Sequence, residues 1–302
     1  MYDVIIIGSG PAGLTAAVYS GRAGLKTLVM AGAVWGGQLM FTTQVENFPG
    51  FSDGILGPDL IGKIWRQAEK FGAELIFEDA TAVDFLAKPF KIKARDRAYE
   101  GRSVIIATGA SPKWLSLESE QRLRGRGVSV CAVCDAAFFR DKRAVVVGGG
   151  DTALEEALAL SKFARDIKVV HRRNKLRASK VLQERAFNEP KIGFIWNTTV
   201  TEIIGQDKVE GVRLRNVLSG EESELKCDAV FIAIGHKPNT EIFKGQVEMD
   251  EEGFITAYGD TKTSVEGVFV AGEAKDRRYK QAVTAAGEGC KAALDVQRYL
   301  AE

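Results

Sequence analysis

Histidine and cysteine are scarce in this chain, with two and four among 302 residues. A structural zinc site draws four ligands from residues of this kind. Only one close cysteine pair exists, Cys131 and Cys134, with no second pair and no clustered histidines, so no metal is expected. Cys227 and Cys290 stand far apart, which excludes a disulfide framework. Charge of one sign is also missing, since 41 basic and 40 acidic residues leave +1. Such balance argues against nucleic acid or an anionic membrane as the main partner. No apolar run approaches the ~20 residues that span a bilayer. Met1-Tyr2-Asp3 leads straight into a short apolar run, without the basic start and longer apolar core of a signal peptide. These absences point to a cytoplasmic protein.

Glycine, in contrast, is abundant at 32 residues, which suits turns where backbone approaches a ligand. The apolar patterning predicts a buried strand over 3–8, a helix over 12–23 and a second strand over 26–30. Residues 36–50 read as a ligand-facing loop, 60–71 as a helix and 103–107 as another buried strand. The pattern then restarts, with a strand over 143–147, a helix over 152–163 and a strand over 167–170. Later strands are expected over 210–216, 226–234 and 268–270, and a long helix over 281–300. Two β-α-β starts in one chain of this length predict an α/β protein with two doubly wound sheets, each with its own nucleotide site.

The first start carries Gly8-Ser9-Gly10-Pro11-Ala12-Gly13, between the strand and the helix. That context gives the G-x-G-x-x-G spacing its meaning. Gly8 permits the tight turn, Gly10 lets backbone approach a pyrophosphate, and Gly13 permits close helix–strand packing. The second strand ends in Val29-Met30-Ala31-Gly32, without the carboxylate that commonly holds a ribose there, so the motif alone leaves FAD and NAD undecided. The second start carries Gly148-Gly149-Gly150-Asp151-Thr152-Ala153. About twenty residues on stand His171-Arg172-Arg173, with Arg177 close behind. Arginines there suit a 2′-phosphate and hence NADPH over NADH. A solvated basic strand end is the plainer alternative.

Cys131-Ala132-Val133-Cys134-Asp135 lies just before the second glycine motif. The spacing allows a small-ring disulfide, and a helix over 136–139 could stabilise a thiolate. An inert buried pair is the other reading. Asp135 fits either a proton donor and acceptor or a helix cap.

Further motifs follow in order: Gly36-Gly37-Gln38-Leu39, Thr42-Thr43-Gln44-Val45-Glu46-Asn47-Phe48-Pro49-Gly50, Ala107-Thr108-Gly109, Gly235-His236-Lys237-Pro238-Asn239-Thr240 and Ala271-Gly272-Glu273. Together with the cysteine motif, the sequence closely resembles the low-molecular-weight thioredoxin reductases over essentially its whole length. The resemblance implies two Rossmann-like dinucleotide-binding domains in three layers. An NADPH domain (113–241) would be inserted into a discontinuous FAD domain (1–112 and 242–302). It implies a homodimer that reduces the disulfide of thioredoxin or a thioredoxin-like protein. Cys134 would face the flavin, Cys131 would be the interchange thiol and Asp135 the acid/base. Gly36, Gly37, Gln38, Asn47, Val83, Thr108, Gly109, Gly272, Glu273, Gln281 and Ala282 would contact FAD beside the first glycine motif.

The cysteine pair and the NADPH site fall on one domain and both need the flavin, so that domain is expected to turn on hinges near 112–114 and 239–243. The sequence departs from the family at Glu273, where Asp is usual, at Ala136, where Gly is usual, and at Trp35, which would cover adenine or a dimer surface. Cys227 and Cys290 are expected to be inert core cysteines. A dithiol oxidase or a ferredoxin-linked reductase on the same scaffold needs no NADPH, and the arginine cluster counts against both. A nucleotide-binding redox sensor would leave the Cys-x-x-Cys-Asp motif without a purpose.

Overall fold

The computed structural model describes residues 1–42 and 44–302; Thr43, part of the Thr-Thr-Gln motif, lies outside them. The chain divides into two compact units, Met1–Ser111 with Lys237–Glu302, and Pro112–His236.

The first unit opens with β1 (Tyr2–Ile7), α1 (Pro11–Arg22) and β2 (Thr27–Met30). The short β3 (Gln44–Val45) and β4 (Ile55–Leu56) follow, then α2 (Gly57–Lys70), β5 (Glu74–Ile76), β6 (Ala82–Asp84), β7 (Phe90–Ala94), β8 (Arg97–Ile106) and β9 (Ala110–Pro112). The second unit holds α3 (Glu118–Leu123), β10 (Val128–Ser129), α4 (Ala132–Asp135), β11 (Arg143–Val147), α5 (Asp151–Leu160), β12 (Asp166–Val170) and α6 (Lys180–Asn188). It continues with β13 (Ile192–Ile195), β14 (Thr198–Ile204), β15 (Gly211–Asn216), β16 (Glu222–Lys226) and β17 (Ala229–Ile232). The chain returns through β18 (His236–Pro238) to β19 (Val268–Val270) and α7 (Ala282–Ala301).

In the first unit β5, β2, β1, β8 and β19 run parallel, and β8 continues into an antiparallel pairing with β7 and then β6. Val4–Ile7 of β1, Leu28–Met30 of β2, Val104–Ile106 of β8 and Val268–Val270 of β19 are unbroken apolar runs because both faces are covered there. Val4 and Ile6 of β1 pack with Ala16 and Ala17 of α1 and Ala292, Ala293 and Val296 of α7. Ile5 and Ile7 face Phe90, Ile92 and Phe243 on the other side. Small residues on α1 and α7 let the two helices meet closely. A Cβ on Gly289 would stand 2.0 Å from the Ala12 carbonyl oxygen.

The second unit repeats this logic in a parallel sheet ordered β10-β17-β11-β12-β13. Ala144 and Val146 of β11 pack with Leu154 and Ala157 of α5. Val145 and Val147 pack against Val200, Ile203 and Val212, so an antiparallel sheet, β14-β15-β16, forms the third layer here.

Several expectations change. The strand expected over 226–234 is two strands broken at Cys227-Asp228, because β16 belongs to the antiparallel layer and β17 to the parallel sheet. The return crossing falls at His236–Lys237, ahead of the expected 241–242. Asn239 Nδ2 donates to the Thr108 carbonyl at 3.0 Å and Phe243 is fully buried in the first unit's core, which ties 237–243 there. Cys227 is buried and burial pushes its thiol up to about 12, in keeping with an inert cysteine. Cys290 differs from expectation: it is partly exposed on α7, beside the Tyr19 hydroxyl.

The α1–α7 contact makes a direct prediction. Gly289→Ala forces backbone apart and is expected to destabilise the first unit by about 1–3 kcal/mol, read as a lowered urea midpoint, whereas Gly62→Ala, with nothing within 4 Å of the added carbon, leaves it unchanged or raises it.

Candidate functional site

The first glycine turn is built by contacts that only glycine tolerates. Gly8 has φ of 113°, and a Cβ there would meet the Ala107 carbonyl oxygen at 2.3 Å. A Cβ on Gly13 would meet the Gly8 oxygen at 2.0 Å. Gly10 caps α1, Pro11 takes the first helical position, and a Cβ on Gly10 would meet nothing within 4 Å. Two glycines thus fix the turn, and the third leaves open the approach to the helix N-terminus, where amides and dipole favour phosphate. Ser9 is buried and turned inward: its hydroxyl donates to the Ala31 carbonyl at 2.8 Å and accepts from the Gly36 amide at 2.9 Å. It therefore fastens the Gly36-Gly37-Gln38 loop, whose Gly37 would place a Cβ 3.3 Å from the Gly10 Cα.

Other residues converge on this end of the sheet. Asn47 Nδ2 donates to Gln281 Oε1 at 3.2 Å, joining positions 234 apart, and Gln281 caps α7 just before Ala282. Among the described residues, the Thr108 hydroxyl oxygen is buried without a partner, beside Gly109, where a Cβ would meet nothing within 4 Å. The Gly272 amide donates to Glu288. Burial pushes the Glu273 carboxyl up to about 7, with Lys280 pulling it down and Asp276 pushing it up. Val83, in the middle of β6, is partly buried at the edge of the core opposite α1. An unpartnered Thr108 hydroxyl and an open approach at Gly10 fit a dinucleotide such as FAD.

A carboxylate does reach the tip of β2, although none was visible in its sequence. Asp79, three residues past β5, accepts from the Ala33 amide at 3.1 Å. β2 itself carries no carboxylate, and the neighbouring β5 leads to the one that arrives. Trp35 forms an edge-on pair with Trp65 of α2, centroids 4.8 Å apart, and Trp65 stacks on Phe77 at 5.2 Å.

In the second unit, Gly148 has φ of 156°, and a Cβ there would meet the Ala233 oxygen at 2.3 Å and the buried Ala153 at 2.8 Å. Gly150 would place its Cβ in open space at the start of α5. Asp151 accepts from the Ser179 amide at 2.6 Å, while Thr152 is partly buried on α5. The basic cluster separates into two kinds of residue. Arg172, Arg173 and Arg177 are exposed, and the Arg177 amide donates to the Gly149 carbonyl at 2.7 Å. His171 is buried, lies flush against Gly149, and its Nε2 pairs with the Lys175 carbonyl at 3.0 Å. Burial pushes its pKa down, helped by Arg177, Arg173 and Arg172. His171 is therefore a support beneath the turn, not a phosphate ligand on its surface. An open Gly150 and three exposed guanidinium groups fit a phosphorylated dinucleotide.

Cys131 and Cys134 form a disulfide with Cα atoms 5.3 Å apart. The supporting helix differs from the one expected over 136–139, which is a 3-10 turn. Cys131 itself caps α4, and its sulfur accepts from the Cys134 amide at 3.2 Å. Asp135 ends α4, where burial raises its pKa and a hydrogen bond from Ser129 lowers it. Its side chain caps no helix. Two partners escaped the motif reading. The Ser129 hydroxyl donates to Asp135 Oδ2 at 2.5 Å and accepts from the Cys131 amide at 3.1 Å. Glu156 of α5 accepts from the Ala132 amide. Ser129 sits two residues before the motif, the one signal that could have found it.

Residues 2–289 match the pyridine nucleotide-disulphide oxidoreductase family, and the chain belongs to it. It is a redox enzyme of that class, using FAD and NADPH with the Cys131–Cys134 pair as its redox centre. Within the class, its similarity is to the thioredoxin reductases. It is 53% identical to the thioredoxin reductase of Streptomyces clavuligerus, over 99% of this chain and 94% of that one. It is 51% identical to that of Mycolicibacterium smegmatis, over 100% and 97%. The solved thioredoxin reductase of Giardia duodenalis superposes with a TM-score of 0.95 at 44% identity, covering 100% of this chain and 99% of that one.

Two outcomes follow. Gly150→Ala is expected to keep the melting temperature while weakening NADPH binding at least tenfold, about 1.4 kcal/mol, measured by calorimetry, because the added methyl meets ligand and not protein. Stability is also expected to depend on His171. The folded imidazole takes a proton less readily than the unfolded one, so acid favours unfolding. The contribution is full above the ordinary value of 6.5 and is lost as pH falls below it. His171→Gln should flatten denaturation midpoints measured across that window.

Proposed function

We propose that the chain passes electrons from NADPH, by way of FAD and the Cys131–Cys134 disulfide, to the disulfide of thioredoxin or a thioredoxin-like small protein. The observation that carries this reading is the formed disulfide, set with its acid in the same unit as a glycine turn and exposed arginines suited to NADPH. That its relatives are thioredoxin reductases supports the partner.

FAD, when bound, supplies the two-electron centre between nicotinamide and disulfide. It would lie on the first unit, its pyrophosphate at Gly10, Pro11, Ala12 and Gly13. Gly36, Gly37, Gln38, Asn47, Val83, Thr108, Gly109, Gly272, Glu273, Gln281 and Ala282 would line the rest. NADPH would lie on the second unit. Gly150, Asp151, Thr152 and Ala153 would hold its pyrophosphate, and Arg172, Arg173 and Arg177 its 2′-phosphate.

The dithiol chemistry belongs to side chains. The Cys131 thiolate attacks one sulfur of the partner's disulfide, that bond breaks, and a mixed disulfide forms. The leaving thiolate takes a proton from Asp135. The Cys134 thiolate then attacks the Cys131 sulfur, closes the enzyme disulfide and releases the second partner thiolate. Two protons from the enzyme dithiol end on the partner's two sulfurs, one through Asp135. Cys134 is assigned the flavin side. The proposal includes a homodimer and a cytoplasmic setting. Among the described residues, no helix is long and apolar enough to cross a membrane.

Anaerobic titration of the FAD-loaded protein tests the electron source. NADPH is expected to bleach the flavin band near stoichiometry, and NADH only in large excess. Arg173→Ala and Arg177→Ala should each weaken NADPH at least threefold and leave NADH unaffected. Bleaching by neither nucleotide would sink the reading.

A further inference from the structure

We propose that Ser129 is a positioning residue for Asp135: clamped by the Cys131 amide, its hydroxyl fixes the carboxylate and reserves Oδ2 as an acceptor, so that the exchanged proton is carried on Oδ1. This rests on the reading of Asp135 as the acid/base.

β10 pairs with β17 in register, Ser129 opposite Phe231, so the Ser129 backbone is held by the sheet. A serine hydroxyl has one proton to give and lone pairs to receive. The Cys131 amide can only donate, and it donates to Ser129 Oγ at 3.1 Å. That contact occupies the acceptor side and turns the hydroxyl proton toward Asp135 Oδ2, 2.5 Å away. Ser129 is therefore a fixed donor to Asp135.

A fixed donor favours the ionised carboxylate. Burial is the larger influence on Asp135 and raises its proton affinity, and the Ser129 bond opposes it. The neighbouring α5 presents Glu156, whose carboxylate is engaged by the Ala132 amide. The sulfurs of Cys131 and Cys134 are the remaining titratable groups of this turn once the disulfide is reduced. The clamp uses the Cys131 amide and not its sulfur, so it persists when the disulfide opens. Asp135 then meets both halves of the cycle with the same oxygen engaged.

The test is the pH profile of kcat/KM for partner-disulfide reduction by the FAD-loaded enzyme, with FAD content and melting temperature recorded for every variant. Asp135→Asn is expected to remove the limb that Asp135 governs. Ser129→Ala should move that limb to higher pH by about one to two units, the size of a lost hydrogen bond to a charged oxygen. Ser129→Thr should restore its position. Should Ser129→Ala fold poorly, Ser129→Val against Ser129→Thr gives the same comparison, hydroxyl against methyl, with two β-branched residues suited to a strand. A limb that disappears in Asp135→Asn yet stays in place in Ser129→Ala, or in Ser129→Val, overturns the role of Ser129. A limb unchanged in Asp135→Asn overturns the acid/base reading itself, whatever Ser129 does.

Discussion

Backbone pressed against backbone at glycine is the constraint on which both nucleotide sites depend. Gly13 lies against the Gly8 carbonyl, Gly8 against Ala107, and Gly289 against the Ala12 carbonyl. Gly148 lies against Ala233 and Ala153 in the second unit. These contacts set where each helix begins relative to the strand before it. The helix amides and the open side of Gly10 or Gly150 are then aimed without any side chain taking part. Stability and binding are thereby divided among neighbouring glycines: some admit no Cβ because protein is there, and others keep the approach free.

The same economy shapes the redox turn. A Cys-x-x-Cys segment buries few atoms of its own, so its geometry is imposed from outside. Ser129 takes the Cys131 amide, Glu156 takes the Ala132 amide, and the Cys134 amide turns onto the Cys131 sulfur. Three amides of the motif, those of Cys131, Ala132 and Cys134, thus have partners that restrain the turn. Asp135 is drawn into the same network, so sulfur chemistry and proton transfer share one scaffold.

The basic cluster shows how a motif can combine two jobs. His171-Arg172-Arg173 reads as one cationic run, yet only the arginines are presented to solvent. The histidine packs under Gly149 and ties to the Lys175 carbonyl, which shapes the segment leading to Arg177. Among these cationic arginines, and buried, the imidazole is more stable neutral, which suits a support better than a ligand.

Local chemistry was legible in the sequence because it depends on neighbours along the chain. Glycine spacing after a β-branched run, arginines one strand later, and two cysteines three apart each declare themselves within a few residues. Strands β1, β11, β12 and β19 appear in the apolar pattern because both faces of a parallel strand are buried. What the sequence alone could not determine was set by elements meeting from afar. Asp79 reaches β2 only because β5 lies beside it, and Asn47 meets Gln281 across 234 positions. Phe243 draws the return crossing into the first unit, and Glu156 joins the cysteine turn from the next helix. The antiparallel β14 carries one buried and one wet face, so its weaker alternation became clear only when the sheet was assembled, whereas its neighbour β15 was legible over 210–216. Side-chain type and spacing determined the chemistry available; the packing of distant strands and helices decided which groups hold it in place.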